Sequence, residues 1–289
     1  MLYTDNYSQK ETNMIKKKLL SVILSVVMVM TMLALTGCGG EKKEEAPKPT
    51  SAEELLDASK KAMEDVENYS FNAKGSAEIK ASASGQEMSM PAEFEAEGEI
   101  SDDVIHAKGS GSVEYLGQKQ EASPEAYLDI KNKKAYAKMS ADDSWSASDL
   151  TLETDDVSFE VPDSLKPELE FSEEDDAYVL TCDLSKIDIK ELLKSIAEQQ
   201  EGAEDMNLDD ALAALDQVDI SIDSGTLTMK YDKETCLISS MTIKEFSGSG
   251  KTEIAEGQDM AITASMNMEF NFTDYNKVPA DAFKLPDAE

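Results

Sequence analysis

Long stretches of the chain alternate between apolar and polar residues, and this period of two restricts the fold more than any other feature of the sequence. Residues 69–81 place apolar or small residues at every odd position and mostly polar residues between them. The pattern returns in 87–100, in 105–115 and, near the end, in 262–272. Because successive side chains of a β-strand point to opposite faces, this alternation predicts long antiparallel strands with one apolar and one solvated face.

Shorter apolar runs extend the predicted sheet. Residues 127–130 and 134–139 predict a hairpin that turns at 131–133, and Ser84-Gly85-Gln86 predicts the turn between the first two long strands. Further strands are predicted at 177–184, 220–231, 237–246 and 260–272. Residues 149–176 are acidic and show no period, so they predict an irregular connector.

Three segments have the spacing of amphipathic helices instead. Ser51 followed by Glu54 has the pattern of a capping box and begins a predicted helix over 52–67. The segments 187–200 and 208–218 carry apolar residues three and four positions apart. A sheet with one apolar face needs a cover, and these helices are the candidates. The expected fold class is therefore α+β, a single curved antiparallel β-sheet (half-barrel) with covering α-helices.

The first forty residues have the features of an export signal. Lys16, Lys17 and Lys18 precede an apolar stretch over 19–35, and small residues lead to Cys38. We predict a signal peptide over 1–37, with Met14 as an alternative start, and cleavage between Gly37 and Cys38. The competing interpretation is a short transmembrane anchor, because an apolar core of ~17 residues is at the lower limit for a spanning helix.

The ending Leu-Thr-Gly-Cys at Cys38 resembles the lipobox of bacterial lipoproteins. That resemblance implies a diacylglyceryl group on the Cys38 sulfur, and two acyl chains give stable membrane anchoring. Residues 38–50 are then a lipidated flexible tether, and 51–289 form the folded domain. The expected location is the outer face of the cell membrane, in an envelope of the Gram-positive type.

The charge of the chain excludes several classes of partner. The formal net charge is −33, and every basic residue is a lysine. Nucleic acids and anionic membrane surfaces select for basic patches, so neither is an expected partner. The acidity is typical of a solvated, self-repelling surface. A calcium role is the weaker alternative, because no loop with the ligand spacing of an EF-hand occurs.

The two remaining cysteines leave two possibilities open. Cys182 and Cys236 both lie in apolar, strand-like contexts. In an oxidising compartment such a pair can form a disulfide, and otherwise both thiols are buried and free.

No arrangement of residues typical of catalysis is found. His106 is the only histidine, and no nucleophile elbow, zinc-binding helix motif or phosphate-binding glycine loop occurs. We therefore expect neither an enzyme nor a site for a metal or cofactor.

Three segments together resemble the LolA/LppX-like lipoprotein superfamily, and more narrowly its poorly characterised Gram-positive members. They are Val66 to Phe71 after the first helix, Tyr231 to Ile238, and Asn276 to Pro279 with Phe283 to Pro286. The second segment is similar to an Asp-x-x-Thr-Gly hairpin, with Cys236 in place of the glycine. The resemblance implies a cavity between sheet and helices that holds acyl chains or another apolar ligand, and it transfers no functional residue beyond Cys38.

The apolar faces themselves carry methionines among small residues. Adaptable thioethers beside alanine and glycine suit a pocket for varied apolar ligands, and they also suit an ordinary core. The predicted function is binding of a lipid or acylated ligand by a membrane-anchored protein, and the alternative is a non-catalytic interaction or sensing module with a filled core. The predicted ligand-lining residues are Phe71, Ala77, Ile79, Met90, Phe94, Gly109, Val113, Met266 and Phe270.

Overall fold

The computed structural model describes residues 48–83, 86–115, 117–140, 144–149, 161–162, 164–192, 219–255 and 258–287. The predicted signal peptide, Cys38, the first turn residues Ser84 and Gly85, and the predicted helix 208–218 lie outside these residues. The elements given below belong to one compact unit, Gly37–Asp156 with Pro162–Glu289.

Within the described residues, twelve strands form one antiparallel sheet. The strands are β1 (Asn68–Ala83), β2 (Gln86–Ser101), β3 (Val104–Tyr115), β4 (Gln118–Ala122), β5 (Glu125–Asp129), β6 (Lys134–Lys138), β7 (Ser146–Asp149), β8 (Glu170–Glu173), β9 (Ala177–Asp183), β10 (Asp219–Asp232), β11 (Ile238–Ala255) and β12 (Gln258–Thr273). Their order is β7-β6-β5-β3-β2-β1-β12-β11-β10-β9-β8, and β4 pairs with β3 beside β5. The sheet is open, with β7 and β8 at its two ends.

The predicted single antiparallel sheet is confirmed, and its strands differ from expectation in detail. Gln86, which the sequence placed in the first turn, begins β2 and pairs with Ala83. β11 continues nine residues past the predicted end at Phe246, because a bulge between Ile243 and Phe246 shifts the alternation. The sequence did not predict β4, β7 and β8, which have four or five residues each and are mostly exposed.

Pairing of β1 with both β12 and β2 aligns the apolar residues into cross-strand rows. Ala77 lies between Met266 and Ala92, and Ile79 lies between Ala264 and Met90. Six such rows cross β12, β1 and β2 on one face, from Phe272–Phe71–Gly98 to Ile262–Ala81–Met88. Every member of a row is apolar or glycine, so the observed register keeps the alternation of each strand in phase with its neighbours.

Burial changes along these rows. Met266, Met268, Phe270 and Phe272 of β12 are buried, whereas Ala264 and Ile262 farther along the strand are partly exposed. The buried end continues across β11, β10 and β9, where Tyr178, Leu180 and Cys182 of β9 face Tyr231, Met229 and Leu227 of β10. The core therefore lies at the end of the sheet where β1 begins and β12 ends.

Aromatic rings fill the space above two glycines of the rows. A Cβ atom on Gly75 would lie 2.6 Å from Cε1 of Phe94 and 2.9 Å from the Asn267 carbonyl oxygen. A Cβ on Gly98 would lie 2.8 Å from Cε1 of Phe71. In both cases the ring belongs to the residue paired with the glycine on the adjacent strand. Part of the small-residue pattern is thus packed by neighbouring strands rather than by a helix or an open space.

The helix at the start of the domain is shorter than predicted. α1 spans Ala52–Met63, and the Ser51 hydroxyl caps it by accepting a hydrogen bond from Glu54 N at 3.2 Å. The reciprocal half of the capping box is displaced, since the Glu54 carboxylate accepts from the backbone N (2.7 Å) and hydroxyl (2.8 Å) of Thr50. The structure describes only the first residues of the predicted helix 187–200. The Asp188 carboxylate caps them by accepting a hydrogen bond from Lys190 N at 2.8 Å.

A clamp between the two ends of the domain explains why α1 stops early. The Asn276 side chain accepts from Glu67 N at 2.6 Å and donates to the Asp65 carbonyl at 2.9 Å. In return, Asn68 accepts from Asn276 N through its carbonyl (2.7 Å) and from Val278 N through its side chain (2.9 Å). Because these bonds hold 65–68 in a non-helical conformation, the apolar spacing that predicted a helix to residue 67 is overridden there.

Of the two possibilities left open for Cys182 and Cys236, the structure shows free thiols, of which Cys182 is buried and Cys236 is partly exposed. Cys182 is buried in β9 opposite Leu227, while Cys236 lies in the turn after β10, bonded through its N to the Asp232 carbonyl at 2.8 Å. Five residues of extended strand, or about 16 Å, separate Leu227 from Asp232, and a disulfide needs Cα atoms within ~7 Å. Burial raises the pKa of the Cys182 thiol to about 11, so at neutral pH this cysteine is an apolar core residue.

The glycine–aromatic packing predicts a specific sensitivity. Gly75→Ala should lower the free energy of unfolding by ~1–3 kcal/mol, because the new methyl displaces the Phe94 ring and meets the Asn267 carbonyl. Gly111→Ala is the matched control and should lose less stability. The atom nearest to its new Cβ, the Glu93 carbonyl oxygen, would lie 3.2 Å away. Chemical denaturation of both variants tests this, and equal losses would contradict the packing argument.

Candidate functional site

All nine residues predicted to line a ligand site lie on the apolar face of four adjacent strands. Phe71, Ala77 and Ile79 belong to β1, Met90 and Phe94 to β2, Gly109 and Val113 to β3, and Met266 and Phe270 to β12. The pairing of these strands brings them together in neighbouring rows. The sequence pattern therefore predicted a shared face correctly.

Their environments place eight of the nine residues in two groups, and Gly109 is in neither, because a Cβ there would lie 2.7 Å from the Glu95 carbonyl oxygen, which leaves no room for a ligand. Met266 and Phe270 are buried, and Phe71 and Phe94 are packed over glycines, so this group belongs to the filled part of the face. Ile79, Met90 and Val113 lie toward the far end, where burial falls and Val113 is 38% exposed. We call this second region the distal patch. It comprises Ala77, Ile79, Ala81, Met88, Met90, Ala92, Val113, Ile262 and Ala264, all of them at least partly exposed.

In the part of the chain that the structure describes, an open cavity lies on the hydrophilic face of the sheet, opposite the apolar face for which a ligand cavity was predicted. It has a volume of about 890 Å³ and extends over β4, β3, β2, β1, β12 and β11. On each central strand it touches three consecutive residues, such as Lys74, Gly75 and Ser76 of β1. The first and third residues of each triplet belong to the hydrophilic face, so their side chains point into the cavity. The backbone of the middle residue forms its base. We call this the hydrophilic cavity.

A second polar feature surrounds the single histidine, which the sequence placed on the solvated face without a partner. His106 is buried, with Nδ1 2.8 Å from Glu99 Oε2 and Nε2 3.0 Å from Glu125 Oε1. Its ring stacks on Tyr127 at 4.1 Å between centroids. Each ring nitrogen is therefore within hydrogen-bond distance of a carboxylate oxygen on a neighbouring strand.

Lys138 extends this network to the next strand. Its ammonium lies 2.7 Å from the second oxygen of Glu125 and 4.7 Å from the centre of the Trp145 ring. Burial raises the pKa of Glu125, but the hydrogen bonds from Lys138 and His106 outweigh burial and hold its pKa below the usual value of 4.5. Glu125 is thus an ionised carboxylate that hydrogen-bonds to Lys138 and His106 and joins β3, β5 and β6.

No group of three or more histidine, cysteine, aspartate or glutamate side chains in the described part of the chain is arranged to hold a metal ion. Among the same residues, no helix has the length and hydropathy needed to cross a membrane.

The Glu125 network predicts a pH-dependent contribution to stability. Glu125→Gln should cost on the order of 1–3 kcal/mol at neutral pH, because Lys138 and His106 lose their charged acceptor. Since folding lowers the pKa of Glu125, its stabilisation is full above the unfolded pKa and is lost as the pH falls through the folded value. The difference between wild type and variant should therefore shrink below about pH 4.5.

Urea unfolding between pH 7 and pH 3 measures that difference. Glu97→Gln is the control, because the Glu97–Lys108 pair on the same face is 2.9 Å long but more than half exposed on both sides. It should cost less than ~1 kcal/mol. A Glu125→Gln loss as small as that of the control, or one constant with pH, would contradict the assignment.

Solved structures offer only distant likenesses. Neisserial surface protein A matches at a TM-score of 0.20 and 8% identity, over 70% of this chain and 96% of its own. A DUF1329 family protein from Desulfovibrio piger matches at 0.17 and 11% identity, over 80% and 95% of the two chains. The translocator domain of the autotransporter NalP from Neisseria meningitidis matches at 0.18 and 7%, over 75% and 92%. Scores this low carry no inference about fold or function.

No curated protein matches the chain in sequence. The model of the family DUF6612, described as a family of unknown function, matches residues 51–288. The match begins at the residue that caps α1 and continues past β12 to the end of the described chain. The chain therefore belongs to the DUF6612 family.

Proposed function

We propose that this protein is a non-enzymatic lipoprotein, anchored by lipid on Cys38 outside the cell membrane, which binds an apolar ligand on the distal patch. The observation that carries the proposal is the change in burial along β12. The same apolar rows are buried from Met266 to Phe272 and are partly exposed at Ala264 and Ile262. A contiguous apolar surface on an otherwise highly charged protein marks a place where something else binds.

The composition of the distal patch favours a flexible, apolar ligand such as an acyl chain. It combines methionine side chains, Met88 and Met90, with alanines on both neighbouring strands. Thioethers adapt to ligands of different shape, and alanine leaves room beside the backbone. No cation lies within the rows, so recognition there rests on apolar contact rather than on a charged head group.

The likeness to the LolA/LppX-like superfamily is part of this proposal. Two of the three segments that carry it contact each other at the buried end of the sheet, through the Asn68–Asn276 clamp and the stacking of Tyr69 on Tyr275 at 5.5 Å. The remaining segment, Tyr231 to Ile238, is joined to the same end of the sheet by Tyr275, whose hydroxyl donates to the Ile238 carbonyl at 2.5 Å. In the proposed arrangement this end is the rigid base of a half-barrel, and the ligand occupies the far end under helical cover.

Anchoring is tested by removing the lipidated sulfur. Cys38→Ser should abolish incorporation of labelled palmitate and remove the protein from the washed membrane fraction, because no acyl chain can then be attached. Cys236→Ser is the control and should retain both label and membrane association. A Cys38→Ser protein that stays in the membrane without label would favour the short transmembrane anchor instead.

Ligand binding is tested by placing one charge on either face of the same strand. In the fragment 39–289, Ala264→Glu introduces a carboxylate into the distal patch, while Thr263→Glu introduces the same charge on the exposed, hydrophilic face opposite Lys80. We expect Ala264→Glu to weaken binding of a fluorescent fatty acid at least about tenfold, or ~1.4 kcal/mol, and Thr263→Glu to leave it unchanged.

Native mass spectrometry with organic extraction completes that experiment. Lipid recovered at near-stoichiometric amount from the wild type and from Thr263→Glu, but not from Ala264→Glu, would support the distal patch as the binding site. A wild-type protein without extractable lipid and without uptake of the probe would contradict lipid binding, and would favour the interaction module that works through protein contacts.

A further inference from the structure

We propose that three aromatic rings on the hydrophilic face, where β5, β6 and β7 end the sheet, form a binding site for a neutral glycan. The rings are those of Tyr127, Tyr136 and Trp145, and we call them the aromatic platform. Tyr127 and Tyr136 are paired on β5 and β6, so their side chains share one face. Trp145 contacts Tyr127 edge to face, at 5.5 Å between ring centroids. All three residues are partly exposed.

The distribution of large side chains is inverted at this end of the sheet. Along β1 and β12 the large apolar residues lie on the apolar face, whereas the hydrophilic face carries polar ones. On β5, β6 and β7 the apolar face carries only alanine and serine apart from Leu128, and the three rings lie on the hydrophilic face. Trp145 is the only tryptophan of the chain. Aromatic side chains that stay partly exposed, away from the core, are typical of a surface that binds another molecule.

Contacts beside the rings hold the platform in place. His106 stacks on Tyr127 at 4.1 Å with an angle of 11° between the ring planes, and the Lys138 ammonium lies 4.7 Å from the centre of the Trp145 ring. Glu125 hydrogen-bonds to both His106 and Lys138, so it joins the two supports. A surface that is ordered before binding loses less conformational entropy when a ligand arrives.

The polar atoms of the platform are donors that have no acceptor in the protein. Within the described residues, neither the two tyrosine hydroxyls nor the Trp145 ring N–H makes a hydrogen bond. The charged groups next to the rings are already engaged, since Glu125 binds Lys138 and His106 lies against both Glu99 and Glu125. A ligand here is therefore recognised by ring contact and neutral hydrogen bonds rather than by charge.

A neutral glycan matches this combination. The C–H face of a sugar ring packs on an aromatic ring, and the sugar hydroxyls accept hydrogen bonds from tyrosine and tryptophan donors. A quaternary ammonium would compete with Lys138 for the Trp145 ring, and an acyl chain would leave the donors unpaired. A protein anchored outside the membrane also lies among the glycans of the envelope, and this last point rests on the proposed function.

The single tryptophan provides the readout, because a sugar on the platform changes the surroundings of Trp145 directly. The full chain, in a polyoxyethylene detergent that contains no sugar, is titrated with chitotetraose, cellotetraose and maltotetraose, and tryptophan emission and heat are recorded. We expect a saturable change with at least one tetrasaccharide. Tyr136→Ser should weaken that binding at least about tenfold, because one of the three rings is lost.

Tyr115→Ser is the matched control, because it removes a partly exposed tyrosine from the far end of β3, outside the platform. It should leave sugar binding unchanged. Tyr136→Phe keeps the ring and should bind more tightly than Tyr136→Ser. Far-UV circular dichroism checks that every variant is folded.

Saturable binding that is lost in Tyr136→Ser and kept in Tyr115→Ser supports the proposal, and the preferred tetrasaccharide then identifies the sugar and its linkage. Neither emission change nor heat from any of the three sugars would overturn it. Equal affinities of Tyr136→Ser and the wild type would overturn it as well, and binding of choline without sugar would replace the glycan with a quaternary amine. Ala264→Glu should bind the sugar like the wild type, so failure here is distinct from failure of the distal patch.

Discussion

The pairing of β1 with β12 is the constraint on which the rest of the structure depends. It joins the strand that follows α1 to the last strand of the chain, in unbroken register from Ser70–Thr273 to Ala83–Met260. Through it, the sheet formed by β2 to β7 and the sheet formed by β8 to β11 become one. A shift by one residue would turn every apolar side chain of β12 toward the hydrophilic face of β1, so the alternation in both strands enforces this register.

The same register gives the two faces different roles. On the apolar face, rings lie over glycines at one end and leave a partly exposed patch of methionine and alanine at the other. On the hydrophilic face, most carboxylates face solvent, but a few are drawn into defined structures. Glu99 and Glu125 hold His106, and Glu93 and Glu95 line the cavity. An acidic surface that appears uniform in the sequence thus has separate environments, because the register places His106 between Glu99 and Glu125, Lys74 opposite Glu95, and only serines opposite Glu93.

The buried end of the sheet shows how distant segments of sequence combine. Asn68 and Asn276 exchange hydrogen bonds, Tyr69 stacks on Tyr275, and the Tyr275 hydroxyl reaches the strand after the Cys236 turn. Cys236 itself has a φ of 58°, a left-handed conformation that glycine adopts with less strain. These contacts explain why α1 ends at Met63 although its apolar spacing continues, and why Tyr69 is buried where a sequence pattern predicts only a strand end.

The sequence by itself determined the period of the strands, and therefore the antiparallel sheet, its apolar face and the group of residues that share it. The period is a local property, since alternation depends only on which way each side chain points along its own strand. Tertiary structure alone decided the short strands β4, β7 and β8, the clamp that ends α1, the partners of His106 and the face on which the cavity lies. Each of these depends on which residues meet across neighbouring strands or between the two ends of the domain, and the alternation along a single strand does not carry that information. The separation of Cys182 from Cys236 has the same cause, because strand register places them about 16 Å apart or more.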